Sequence, residues 1–183
     1  MLDKKGNFID HTAVIGKNVE LGFHNVIEAG VMIADGVKIG SHNIIMKGTV
    51  VGVNTVIEHH VLLKSKTVIG RRCYVDSYFR SSGDNIIGDN VTLRFGSTIA
   101  RKVFVEDDVF ISPNVMTIYS KHTGEQSEGT FIKKGAFIGT AAVVGPNITV
   151  GEKVVIGAQA YVSKDCLDKG IYIGVPAVLK KPL

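Results

Sequence analysis

The sequence predicts an all-β chain wound into a parallel β-helix, a prism of very short strands and tight turns. Three observations carry that expectation. An aliphatic residue returns at nearly every sixth position, the residue two places before it is usually small or β-branched, and the residue three places after it is most often a turn former.

The period comes first. Counting in sixes from Ile9 gives Ile15, Leu21, Ile27, Ile33, Ile39, Ile45, Val51, Ile57, Leu63, Ile69 and Val75, a break at Ser81, then Ile87, Leu93, Ile99, Val105 and Ile111: 17 aliphatic residues in 18 slots. The register restarts, shifted by three, at Ile132, Ile138, Val144, Val150, Ile156 and Val162. Six helical steps of about 100° do not return to one stripe, so no amphipathic helix explains the pattern.

The flanking slots explain it. Ala13, Val31, Thr49, Thr67, Cys73, Ala142 and Ala160 each precede an aliphatic by two residues, which places both side chains on one face of a short strand. Three places after the aliphatic, Gly, Asn, His or Asp fills 13 of the first 18 slots, and these residues tolerate a positive φ. Each hexapeptide is therefore a strand and a turn, and it buries its aliphatic only by stacking on its neighbours.

Composition agrees. The chain has 183 residues, 45% hydrophobic and 21% charged, with 21 glycines, 7% aromatics and no tryptophan. That describes one globular domain rich in turns around a narrow aliphatic core. The net charge of +4 is spread over pairs such as Arg71-Arg72, Arg101-Lys102, Lys133-Lys134 and Lys180-Lys181, with no basic run interleaved with aromatics, so a nucleic-acid partner is not expected. Met1 to Gly6 has no apolar core behind it, and the uncharged stretch from Gly135 to Gly151 is broken by glycines and Pro146. Neither a signal peptide nor a membrane span is expected, and the location read from this is cytoplasmic. Cys73 and Cys166 fall in the small inward slot and read as reduced core residues.

These repeats resemble the hexapeptide-repeat family. The resemblance implies a left-handed parallel β-helix with three hexapeptides per triangular coil, here about eight coils, or about 38 Å of prism at ~4.8 Å per coil. The expected organisation is one domain over residues 1–183, with repeats at 9–118 and 131–163, a protruding loop at 119–130 and a short C-terminal tail at 164–183. The loss of the aliphatic at Ser81 is expected to make the wall bulge there.

With residues 18 apart stacked, the outward neighbours of the core aliphatics form stripes. One reads Val14, Met32, Val50, Val68, Ile86 and Phe104, apolar over six coils. Such a patch is expected to be buried in a symmetric oligomer, and the resemblance implies a homotrimer. The alternative is that the C-terminal tail covers it.

The informative break is the polar segment from Ser112 to Thr130, which carries His122. Pro113-Asn114-Val115, the loop ending in His122, Phe137-Ile138-Gly139-Thr140 and Gly174-Val175-Pro176-Ala177 resemble the hexapeptide acyltransferases, which use acetyl-CoA to acylate a sugar or an antibiotic. The resemblance implies a catalytic group of His122, Asn114 and Thr140. His122 would be the general base, and Thr140 would offer its backbone N–H to the thioester oxygen. Acetyl-CoA would lie along Gly139, Thr140 and Ala158, its adenine near Pro176 and Ala177 and its phosphates near Lys180 or Lys181. The chemistry is consistent: an imidazole with a reference pKa of about 6.5 is largely neutral at cytoplasmic pH, and backbone N–H groups stabilise an oxyanion without a charged side chain.

The irregular stretch from Asp76 to Asn85 supplies Tyr78, Arg80 and Asp84 as candidates for acceptor binding. The stretch Val105 to Ile111 resembles sugar N-acetyltransferases and favours a nucleotide-linked amino sugar as acceptor. The Tyr119-Ser120-Lys121-His122 loop departs from that subgroup and leaves an O-acetyltransferase or a xenobiotic acetyltransferase open. His24, His42 and His60, 18 apart, are expected to stack at one corner as a turn ladder, and no metal is expected. A carbonic-anhydrase-like metalloenzyme and a non-catalytic β-helix scaffold remain the other readings.

Overall fold

A computed structural model describes residues 3–120 and 123–182 of the chain. Among the described residues there are 27 strands, from β1 (Phe8–Ile9) to β27 (Val178–Pro182), most of them two residues long. They form three sheets, the faces of a triangular prism. Face 1 runs from β1 to β25 (Tyr161–Val162) and face 2 from β2 (Val14–Ile15) to β23 (Thr149–Val150). Face 3 runs from β3 (Glu20–Leu21) through β24 (Val155–Ile156) to β27. Pairing is parallel with a step of 18 residues, as in Phe8 opposite Val26 and Val14 opposite Met32. The chain is a left-handed β-helix with nine strands on face 1, against about eight coils expected. No helix of the described residues is long and apolar enough to cross a membrane.

The core is a stack of aliphatics: Ile27, Ile45, Leu63, Ile99 and Val144 below face 1, Val51, Ile69, Ile87 and Ile132 below face 2, and Ile57, Val75, Leu93 and Ile111 below face 3 are all essentially inaccessible. Strands this short leave most of the backbone in corners, and there the third residue after nearly every aliphatic adopts a positive φ, including Lys66, Arg72, Tyr78 and Lys102. Only the tight corner demands this, since those side chains gain nothing from the left-handed region themselves.

Polar groups inside the prism are also stacked. Asn7, Asn25 and Asn43 are fully buried, one per coil. Asn7 Oδ1 accepts the Asn25 N–H (2.8 Å), Asn25 Oδ1 accepts the Asn43 N–H (2.9 Å) and Asn43 Oδ1 accepts the Val61 N–H (2.8 Å). Each side chain thus supplies an acceptor to a corner N–H that the strand ladder cannot reach. Asp3 closes the column, accepting from the backbone and side chain of Asn7.

One expectation needs correction. The wall does not bulge at Ser81: β13 (Arg80–Ser81) pairs in register with β10 (Leu62–Leu63) and β16 (Thr98–Ile99). The reason is Phe79, which occupies the small inward slot and is fully buried, supplying the volume that Ser81 lacks. The Ser81 hydroxyl is satisfied by Thr67 and Asn85. The short C-terminal tail packs on the solenoid. Cys166 bridges to Val150, β26 (Gly170–Ile173) adds to face 3 beside β24, and β27 folds back on β26 as an antiparallel hairpin. Both cysteines are free and buried, as the inward slot requires.

The inserted loop is anchored at its base. Phe104 pairs with Phe131 and their rings stack at 5.1 Å, a step of 27 residues in place of 18. Ser120 and Gln126 form an antiparallel bridge, the Tyr119 hydroxyl donates to Gln126 Oε1 (3.0 Å), and Asn147 Oδ1 accepts from the Ser127 hydroxyl and the Glu128 N–H.

Candidate functional site

The three corners of the prism sort the candidate residues. The loop leaves face 1 after β19 (Met116–Thr117) and enters face 2 at β20 (Thr130–Ile132), so it fills the corner between faces 1 and 2. His122 and its neighbour Lys121 lie outside the described residues. Asn114, Gly139, Thr140 and Ala158 follow face-3 strands and therefore line the corner between faces 3 and 1.

At that second corner the backbone N–H of the first turn residue is capped, among the described residues, at Phe23, Ser41, His59 and Ser77, and not at Phe95 on the coil above them. Phe23 donates to Ser41 Oγ (3.0 Å), Ser41 to His59 Nδ1 (2.9 Å) and Ser77 to Asp76 Oδ1 (2.8 Å). Thr140 and Ala158 occupy the equivalent positions one coil apart, and among the described residues neither N–H has a hydrogen-bond acceptor. The residue stacked over Thr140 is Ala158, which has no side-chain acceptor to offer. Gly139 makes the approach possible: a Cβ there would lie 2.6 Å from the Ala158 nitrogen. The outcome is two exposed donors about 4.8 Å apart on a bare backbone wall. Asn114 takes the positive-φ position (57°) of its corner.

The hairpin turn closes over the same corner. Tyr161 N–H donates to Gly174 O (3.0 Å) and Ala177 N–H to Tyr161 O (2.7 Å), which seats Pro176 and Ala177 beside the coil above Val143. The Val175-Pro176 peptide is cis. Lys180 and Lys181 are exposed on β27.

Tyr78, Arg80 and Asp84 are not brought together. They run along one coil, with Tyr78 at the corner between faces 3 and 1, Arg80 exposed on face 1, and Asp84 at the corner between faces 1 and 2. Tyr78 instead continues the histidine ladder. The rings of His24, His42, His60 and Tyr78 stack at 5.3, 5.1 and 5.0 Å, and Phe95 meets Tyr78 edge-on. Among the described residues no three His, Cys, Asp or Glu side chains converge as a metal site.

Asp84 belongs to a cleft of about 400 Å³ that sequence reasoning missed, lined by Lys64, Ser65, Lys66, Ser82 and Arg101. Arg101 Nε lies 3.6 Å from Asp84 Oδ2, and its guanidinium sits 5.8 Å over the Tyr119 ring at the base of the loop. Its signal was the pair Arg101-Lys102, one coil before the insertion. The apolar stripe on face 2 is present, with Val14, Met32 and Ile86 more than half exposed, and it extends to Phe131. The C-terminal hairpin lies on face 3 and does not cover it.

The family described as the GMPPB C-terminal domain matches residues 4–121. No curated protein sequence matches the chain. Among solved structures, LpxA from Acinetobacter baumannii is similar with a TM-score of 0.75 and 19% identity, over 97% of this chain and 72% of that one. A maltose O-acetyltransferase from Clostridium difficile 630 gives 0.56 and 24%, over 61% and 66%. AntD, an N-acyltransferase from Bacillus cereus in complex with dTDP and 3-hydroxybutyryl-CoA, gives 0.53 and 18%, over 91% and 84%. The fold is thus the left-handed β-helix of hexapeptide-repeat acyltransferases.

Proposed function

We propose that this chain, which belongs to the GMPPB C-terminal domain family, is an acyltransferase that moves an acyl group from acetyl-CoA to a sugar. The observation that carries this reading is the pair of unsatisfied N–H groups at Thr140 and Ala158. An extended thioester arm brings amide carbonyls to such donors, and the Thr140 N–H meets the charge that develops on the thioester oxygen. Pro176 and Ala177 then flank the adenine, and Lys180 or Lys181 meets phosphate. His122 takes the proton from the attacking group. The similarity to a maltose O-acetyltransferase supports a sugar-type acceptor, and that to AntD in complex with dTDP and 3-hydroxybutyryl-CoA supports an acyl-CoA donor. A nucleotide-linked amino sugar acylated on nitrogen is the favoured acceptor.

The two halves of this site lie on different corners of one prism, so a neighbouring copy completes it. In a trimer with the corner between faces 2 and 3 turned to the axis, face 2 of each copy packs on face 3 of the next. The upper part of the face-2 stripe, with Phe104 and Phe131, then meets the apolar upper part of face 3, where Phe110 and Phe137 stack at 5.2 Å and Val155 follows. The outer ends of those faces also meet, which sets the loop of one copy beside Thr140 and Ala158 of its neighbour.

The test is the thermal midpoint of the purified protein with acetyl-CoA, for wild type and His122→Ala, followed by turnover on a panel of sugars. At a hundred times its dissociation constant acetyl-CoA adds roughly 2.7 kcal/mol to either protein, while turnover falls about 10²–10⁴-fold in the variant. The family match ends at residue 121, before His122, which favours a second reading as a non-catalytic β-helix scaffold. No shift at millimolar acetyl-CoA in either protein selects that one.

A further inference from the structure

The cleft at the corner between faces 1 and 2 has no role in acyl transfer as described above, yet its chemistry is specific. Lys64 and Lys66 stand on one coil, Asp84 on the next and Arg101 on the one after, so three cations face a single carboxylate across about 400 Å³. Ser65 and Ser82 add hydroxyl donors to the wall. Lys47 and Lys102 extend the basic character along the same corner, with Glu28 the nearest carboxylate below, where its Oε2 accepts the Lys47 N–H. Arg101 is held from both sides, by Asp84 at 3.6 Å and by the Tyr119 ring at 5.8 Å. A concave surface lined by one sign of charge focuses field on a counter-ion, and Lys and Arg beside hydroxyl groups suit phosphate oxygens.

We infer that this cleft binds the phosphoryl group of an anionic ligand, with Lys64, Lys66 and Arg101 as the charged contacts and Ser65 and Ser82 as neutral donors. Asp84 holds Arg101 in place and weakens the site by its own charge. The cleft lies at the same corner as the loop, so the ligand is the acceptor, held by phosphate with its sugar reaching toward the loop. That last step rests on the acyltransferase reading; the anion binding does not.

The test is calorimetric titration of the full chain with inorganic phosphate, pyrophosphate and a nucleoside diphosphate, without acetyl-CoA, at two salt concentrations. The expected result is binding that weakens with salt, and a Kd for pyrophosphate raised about tenfold or more in Lys64→Ala/Lys66→Ala, since two exposed charge-assisted contacts to the anion are lost. Lys17→Ala, which removes an exposed lysine elsewhere, leaves it unchanged. Asp84→Asn tightens binding, a direction that a folding defect cannot imitate. Tighter binding of the nucleoside diphosphate than of phosphate marks a nucleotide-linked ligand, and the reverse marks a simple phosphate ester. Equal pyrophosphate affinity in wild type and the double lysine variant, or no binding to wild type at millimolar anion, overturns the proposal. If the anion binds as expected and no sugar or sugar phosphate is acylated, the acyltransferase reading fails and the cleft stands.

Discussion

Phe79 and Ser81 exchange the roles that their positions hold in the rest of the helix. On most other rungs the first slot holds a small, β-branched or asparagine side chain and the second an aliphatic; here a fully buried ring fills the first and a hydroxyl the second. Phe79→Ala leaves a cavity that Ser81 cannot fill and costs about 3–5 kcal/mol. Ser81→Ile alone overpacks against the ring, strands the Thr67 and Asn85 partners of the hydroxyl, and costs about 1–3 kcal/mol. The double variant Phe79→Val/Ser81→Ile restores the regular pattern and loses less than the sum of the Phe79→Val and Ser81→Ile variants. Denaturant unfolding of all three measures the coupling, and strict additivity refutes the exchange.

Gly139 tests the bare wall. With a Cβ 2.6 Å from the Ala158 nitrogen, Gly139→Ala pushes two coils apart where the acyl donor is proposed to lie. The variant loses about 1–3 kcal/mol of stability and, more tellingly, the thermal shift that acetyl-CoA gives wild type. Retention of the full shift would place the donor elsewhere.

Phe131 and Phe137 test the trimer. Both are outward and exposed in the single chain, at 39% and 41%, on the upper rungs of the two faces proposed to meet. Phe131→Glu or Phe137→Glu places a charge in an apolar contact and is expected to yield monomers in sedimentation velocity, each still folded by circular dichroism. A trimer unchanged by both substitutions uses other faces.

Cys166 gives the chain a dependence on alkaline pH. Burial, with Asp165 adding to it, pushes its thiol from an ordinary value of 9.0 up to about 11. A pKa raised in the folded state contributes stability that is complete below pH 9 and is lost as pH rises from 9 toward 11, because the unfolded chain ionises first. Unfolding midpoints measured across that interval fall more steeply for wild type than for Cys166→Ala. At pH 8 the thiol is expected to resist alkylation until the protein unfolds.

The repeat was legible because each hexapeptide states the same physics: a buried aliphatic, a partner on the same strand face, and a corner that tolerates positive φ. The histidine ladder followed from spacing alone, since residues 18 apart must stack. Ser81 was misread because the missing aliphatic was visible while the ring that replaced it sat in a slot counted as small. The hairpin at Gly170–Pro182 escaped notice because it abandons the six-residue period for ordinary antiparallel pairing. The site was legible only as separate motifs. Which corner each motif occupies depends on how the insertion after Met116–Thr117 divides the coil, and Arg101 gains its meaning only beside Tyr119 and Asp84.

The hairpin formed by Gly170–Ile173 and Val178–Pro182 also governs what happens at the end of the solenoid. A stack of parallel rungs is open at both ends, and each end offers unpaired backbone groups in the register that another molecule's first rung would need. The antiparallel turn-back reverses chain direction on face 3, and Pro182 withholds a donor at that edge. On face 3 the turn-back therefore takes away the parallel register that a further rung would need, while the lateral surfaces of the prism stay open to association.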